Sequence, residues 1–197
     1  MRTSSTGAPR LPPLPEQRWG DEQRRVLEEN STLLLLRPVP NSVTTLMHHP
    51  RLAGPWLAYN TVLLRSPALS PRLRELAILR AMWRTASTYL WLDHVRVAVG
   101  IGMSLDDIAA VPLGPDAEGW SSLEAAVLAA TDQLIDGYAI EEATWALLAQ
   151  HFDEAQLLEL PFVVGSYLCL TMVYKSAGTE VDDFLKVIAV PMPEPDR

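Results

Sequence analysis

Cysteine is almost missing from this chain: among 197 residues only Cys169 is present. A lone cysteine excludes an intrachain disulfide, a Cys-x-x-Cys redox pair and a cysteine-rich zinc site. Set in LPFVVGSYLCLTMVY, it reads as a small, inert hydrophobe buried in a helix core. Lysine is nearly as scarce. Fourteen of the sixteen basic residues are arginine, leaving Lys175 and Lys186, a skew that fits GC-rich bacterial coding. Basic charge is short overall, 16 residues against 24 acidic ones, and the net charge of −8 argues against a grip on nucleic-acid phosphates. Uninterrupted apolar runs of 18 or more residues are missing, and MRTSSTGAPRLPPLPEQ lacks the apolar centre of a signal peptide. The expectation is a cytoplasmic protein with neither a nucleic-acid nor a membrane partner. Phosphate-cradling glycine loops, a nucleophile elbow and a basic recognition helix are absent too. The adjacent His48 and His49 cannot turn both rings to one metal, and no acidic residue joins them at ligand spacing. No metal and no cofactor are expected.

What is present is apolar sequence at helical spacing. Hydrophobic residues make up 48% of the chain, enough for one sizeable core. Proline-rich ends predict a flexible arm over residues 1–15 and a flexible tail over 191–197, around one all-α domain from 16 to 190. Periodicity predicts helices over 19–29, 42–48, 50–65, 71–86, 88–101, 104–110, 120–137, 141–150 and 153–176. Ser70-Pro71 starts one of them, Ser104 with Asp107 forms a capping box, and Gly102 and Gly178 end two others.

Two ionisable residues interrupt the apolar faces. At about 100° per residue, Glu75 shares its face with Ile78, Leu79 and Met82, while Arg80 and Arg84 fall on the far side. His94 shares its face with Ser87, Leu90, Trp91 and Ala98. The two helices are joined by almost no loop and should form a hairpin that brings Glu75 and His94 to one cavity. A close, buried carboxylate–imidazole pair can share a proton, which is a usable acid/base arrangement. The plain alternative for Glu75 is a structural carboxylate satisfied by an arginine from another helix; Arg72, three residues back, lies at the edge of its face. Trp56, Tyr59, Trp83 and Trp91 add aromatic area, and with Ser87 and Leu90 they are the expected substrate-binding residues.

The segment LRELAILRAMWRTASTYLWLDHVRVAVGIGMSLDDIAAV resembles the core of the carboxymuconolactone decarboxylase family, which includes the alkylhydroperoxidase D branch. The likeness rests on Arg74-Glu75-Leu76, Tyr89-Leu90-Trp91, His94 and Gly102-Met103-Ser104, and extends loosely over residues 40–180. The resemblance implies an alkylhydroperoxidase D-like helical bundle assembled as a homo-oligomer, with Glu75 and His94 as catalytic residues. Ser87 and Leu90 stand where the peroxidase branch has its two cysteines, so thiol peroxidase chemistry is not expected. Thr88 and Leu90 also replace a second glutamate of many non-thiol members. The favoured reading is a cofactor-independent acid/base enzyme, a lyase or isomerase, acting on a small and rather apolar carbon acid, lactone or secondary-metabolite intermediate. A peroxidase-lineage oxidoreductase without thiol chemistry and a non-catalytic ligand-binding or scaffold protein are the alternatives.

Overall fold

The computed structural model describes residues 8–30, 38–65, 67–187 and 190–193. Among them are nine α-helices and no strand: α1 Asp21–Glu29, α2 Asn41–Leu46, α3 Pro50–Arg65, α4 Pro71–Arg84, α5 Thr88–Gly100, α6 Leu105–Ala110, α7 Ser122–Gly137, α8 Glu142–Leu148 and α9 Glu154–Ala177. The all-α class and the order of helices agree with the periodicity. Contacts divide the chain into two compact units, residues 1–66 with 172–182 and residues 67–171 with 183–197, where one domain over 16–190 was expected. Residues 1–7 and 194–197 of the expected arm and tail lie outside the described residues.

The first unit is built on a small core of Leu14, Trp19, Val26, Val39, Met47, Ala53 and Leu57. Leu14 was expected in a flexible arm, yet it is buried and its N–H donates to the Thr44 carbonyl at 3.1 Å. Leu11 is tied to the Ala177 carbonyl at 2.9 Å. Residues 8–15 are thus anchored by apolar burial and backbone pairing. The indole N–H of Trp19 is satisfied by the Leu14 carbonyl at 3.0 Å. Gly54 lets α1 approach α3 closely, since a Cβ there would come within 3.3 Å of Val26 Cγ2.

In the second unit α4 is central. Ser70 caps it through the Leu73 N–H, Pro71 occupies the first turn, and all residues from Arg74 to Met82 are buried. Helix α7 lies along it: Arg72–Glu124, Arg80–Asp132 and Arg84–Asp136 pair across a constant separation of 52 residues, so the two helices run parallel and in register. The face of α4 opposite Glu75, which amphipathic reasoning would leave to solvent, is therefore covered. Arg80 is buried there by a two-bond pair with Asp132 at 2.8 Å and by the carbonyls of Val111 and Pro112 at 2.9 Å. Helices α4 and α5 form the expected hairpin, joined by Thr85, Ala86 and Ser87. Ala86 takes a left-handed φ of 50°, and the N–H groups of Ala86 and Ser87 return to the carbonyls of Trp83 and Met82, which closes the helix end as a Schellman motif.

Helix α9 is long and apolar enough, by length and composition alone, to cross a membrane, and 44% of its most apolar stretch is buried inside the protein. Cys169 on this helix is exposed, which corrects the expectation of a core cysteine. Apolar neighbours on a helix that is hydrophobic on more than one face do not say which face is covered.

Candidate functional site

Glu75 and His94 meet within the second unit. Helix α4 carries Glu75 at full burial and α5 carries His94 at 4% exposure, and the tight hairpin between them places His94 Nδ1 2.7 Å from Glu75 Oε2. The other carboxylate oxygen, Oε1, accepts from Arg74 Nε at 3.1 Å and Nη2 at 3.0 Å. Arg74 is itself 4% exposed. Behind the imidazole stands Tyr167 of α9, edge-on at 90° with ring centroids 4.7 Å apart.

Beside the expected His94, the carboxylate is held by an arginine of its own helix rather than one from another helix, and that arginine is not Arg72. Arg72 is committed elsewhere, to both oxygens of Asp107 at 2.9 and 3.0 Å and to Glu124 at 2.6 Å. Its neighbour Arg74 takes the carboxylate instead, a choice that periodicity could not make because the arginine folds its long side chain back to an adjacent residue. Tyr167 was also missed. Its aromatic, mid-helix setting in α9 looked like ordinary core, and only tertiary packing sets it against His94.

The electrostatics follow from the contacts. Burial pushes the Glu75 carboxyl up, but the charge and hydrogen bond of His94, joined by those of Arg74, outweigh it and hold Glu75 below the ordinary carboxylate range. An ionised Glu75 can only accept, so the hydrogen it receives from Nδ1 fixes the imidazole tautomer and leaves Nε2 for proton transfer.

The expected binding residues divide. Ser87, Leu90 and Trp91 are all buried, with Ser87 at the start of α5. Trp91 is fully buried, and its indole N–H donates to the Val190 carbonyl at 3.2 Å. Trp83 lies under the Arg80 guanidinium at 4.8 Å, and its indole Nε1 is buried with no hydrogen-bond partner in the protein. Trp56 and Tyr59 belong to the first unit, where they pack on each other with centroids 5.6 Å apart. That unit also holds a cleft of about 560 Å³ between α1 and α3, lined by residues that include Glu22, Arg25, Asn30 and Arg51. Among the described residues no three His, Cys, Asp or Glu side chains are grouped as a metal ion would require.

Comparison with known proteins bears on the fold. A crystal structure of the debrominase Bmp8 has a TM-score of 0.74 at 13% identity, over 90% of this chain and 95% of that one. A second structure, of a Bmp8 variant in complex with 2,3,4-tribromopyrrole, scores 0.75 at 13% identity over 90% and 94%. An alkylhydroperoxidase AhpD core, an uncharacterised peroxidase-related protein from Ralstonia eutropha JMP134, scores 0.75 at 18% identity over 93% of this chain and all of that one. At such identities the likeness is one of fold. No curated protein sequence matches significantly. Residues 50–133 match the carboxymuconolactone decarboxylase family, a span that contains Arg74, Glu75, Ser87 and His94. Over this segment the chain is similar to the carboxymuconolactone decarboxylase family, and its fold is AhpD-like.

Proposed function

We propose that this protein is a cofactor-independent acid/base enzyme acting on a small, rather apolar carbon acid or lactone. The observation that carries the reading is the buried chain Arg74–Glu75–His94, in which one carboxylate oxygen is held by arginine and the other by imidazole Nδ1. In this reading His94 Nε2 takes a proton from carbon and returns it to the product, and Glu75 orients the ring and stabilises the imidazolium as it forms. The division of labour differs from one in which Glu75 is the base, because a carboxylate kept ionised by Arg74 is a weak base. Support for a small-molecule role comes from the family and from the fold shared with a debrominase that binds a tribromopyrrole. The apolar residues at Leu90 and Trp91 accord with an apolar ligand. The same reading makes the protein a lyase or isomerase of the cytoplasm. Thiol peroxidase chemistry is no part of it: Cys169 is accessible but has no second cysteine in the chain.

The test is solvent deuterium incorporation into a panel of lactones, β-keto acids and unsaturated ring acids, followed by NMR. Wild type should exchange a proton of at least one compound, and His94→Ala should not. Binding without exchange across the panel would leave a ligand-binding protein as the better account.

A further inference from the structure

Helices α1 and α3 run parallel in the first unit. Arg51 reaches Glu22 at 3.4 Å, and Gly54 lies against Val26 at nearly the same offset in sequence. The cleft of about 560 Å³ along them has the size of a small-molecule site. It exists because α3 presents Gly54 and Ala58, small residues one turn apart, to the facing wall of α1. Glu22 and Glu29 both line that wall, and at 1.5 Å per residue the cleft between them is about 10 Å long. Its two ends differ. At the start of α1 the Glu22 carboxylate is already taken by Arg51. At the other end Glu29 is in no ion pair among the described residues, and Asn30, 6% exposed, uses only half of its amide. Asn30 Nδ2 donates to the Val26 carbonyl at 2.9 Å, whereas Oδ1 accepts from no described residue and is not sealed from the cleft.

We infer that this cleft binds a small organic ammonium, a primary amine on a short alkyl or aryl body, with its head at Glu29 and Asn30. A nearly buried acceptor that no protein group meets calls for a donor from outside. An ammonium brings three donors and no acceptor, and the Glu29 carboxylate beside Asn30 matches its charge. Asn30 is also the C-cap of α1, where the negative pole of the helix favours a cation. Val26, Gly54, Pro55 and Ala58 give the body an apolar wall, and a net charge of −8 draws cations rather than anions to the surface. Arg25 decides between the two signs of ligand. It lines the cleft one turn before Glu29, exposed and in no ion pair among the described residues. An anion would take it as a partner, whereas to an ammonium it is a like charge near the head. Glu75 and His94 belong to the other unit and have no part in this binding.

The test is calorimetric titration of the full chain with hexylammonium, hexanol and hexanoate, three probes that share one alkyl body. Proton–nitrogen NMR of the Asn30 side-chain amide locates the binding, and helical circular dichroism is the control for folding. Hexylammonium should bind roughly tenfold tighter than either other probe and shift the Asn30 amide signals. Glu29→Gln, a change at an exposed position, should weaken it by roughly three- to tenfold. Ala58→Leu, also at an exposed helix position, fills the cleft and should abolish binding while keeping the helical signal. Arg25→Ala should tighten binding by roughly twofold. No binding of hexylammonium, equal binding of hexanol, tighter binding of hexanoate, or weaker binding of hexylammonium by Arg25→Ala would each overturn the assignment. So would binding that survives Ala58→Leu or leaves the Asn30 signals unmoved.

Discussion

Arg74 and Glu75 are neighbours in sequence and yet form a buried ion pair, two guanidinium nitrogens on a single carboxylate oxygen at 3.1 and 3.0 Å. Adjacent residues on a helix project about 100° apart, so the arginine must turn back around the helix to reach its neighbour. By taking Oε1 it leaves Oε2 to His94, and a carboxylate with hydrogen-bond partners on both oxygens, one of them a guanidinium, remains ionised despite full burial.

Removing one member should expose the cost of that burial. Side-chain exposures of 5% for Arg74 and 0% for Glu75 leave little solvent to compensate, so Arg74→Met and Glu75→Gln should each lower unfolding free energy by about 3–5 kcal/mol. The double variant should lose clearly less than the sum, because each single change strands the other's charge. Urea denaturation measures all three. Losses near zero in both single variants would mean that the pair relaxes to water.

Stability should fall on the acid side. Glu75 is held below the ordinary carboxylate range against its burial. Asp107 is held there by its hydrogen bonds to Arg72, and Glu124, also against burial, by Arg72 and Ser121. For such groups the unfolded chain binds protons first, so their contribution is complete above about pH 4 and is lost as pH falls through the lower folded values. Thermal midpoints should be flat between about pH 8 and pH 5 on this account, then fall steadily. Arg72→Met should lower the plateau and make the acid fall shallower, since Asp107 and Glu124 would return toward ordinary values. An unchanged acid profile in that variant would remove Arg72 from the account.

Once a turned-over compound is in hand, His94→Ala and Glu75→Gln should each slow catalysis by roughly 10²- to 10⁴-fold. The two losses should not multiply, since the residues serve one proton path. Arg74→Met should move the acid limb of the pH–rate profile upward, because Glu75 loses a partner that lowers it. Well-folded single variants with near-normal turnover would dismiss the proton-transfer role.

Two turn positions should respond with opposite sign. Ala86 closes α4 at a φ of 50°, where a Cβ costs about 1–2 kcal/mol, so Ala86→Gly should stabilise the protein by up to about 1 kcal/mol after the added chain entropy of glycine. Gly114 has a φ of 89°, and a Cβ there would come within 3.0 Å of Arg80 Nη2. Gly114→Ala should therefore destabilise by about 1–3 kcal/mol, and it should do so in part by disturbing the Arg80–Asp132 pair. Denaturation midpoints of both variants settle the signs.

The nine helices, their ends at Ser70-Pro71, Ser104, Gly102 and Gly178, and the inward aim of Glu75 and His94 were legible in the sequence. Each rests on forces that act within a few residues: a capping hydroxyl, a proline at a first turn, a glycine at positive φ, an apolar stripe with a period of 3.6. Pairing and burial were decided only by the tertiary structure. That Arg74 rather than Arg72 holds Glu75, that Tyr167 backs His94, that Arg80 is buried against Asp132, and that Cys169 looks outward all depend on partners far apart in sequence, such as Arg72 and Asp107, Arg80 and Asp132, or His94 and Tyr167, or on a helix with apolar residues on two faces. A carboxylate that interrupts an apolar face announces that it will be buried, but its partner is chosen by which guanidinium the packed helices leave within 3 Å. A helix apolar all round likewise leaves its exposed side to be selected by the packing of its neighbours.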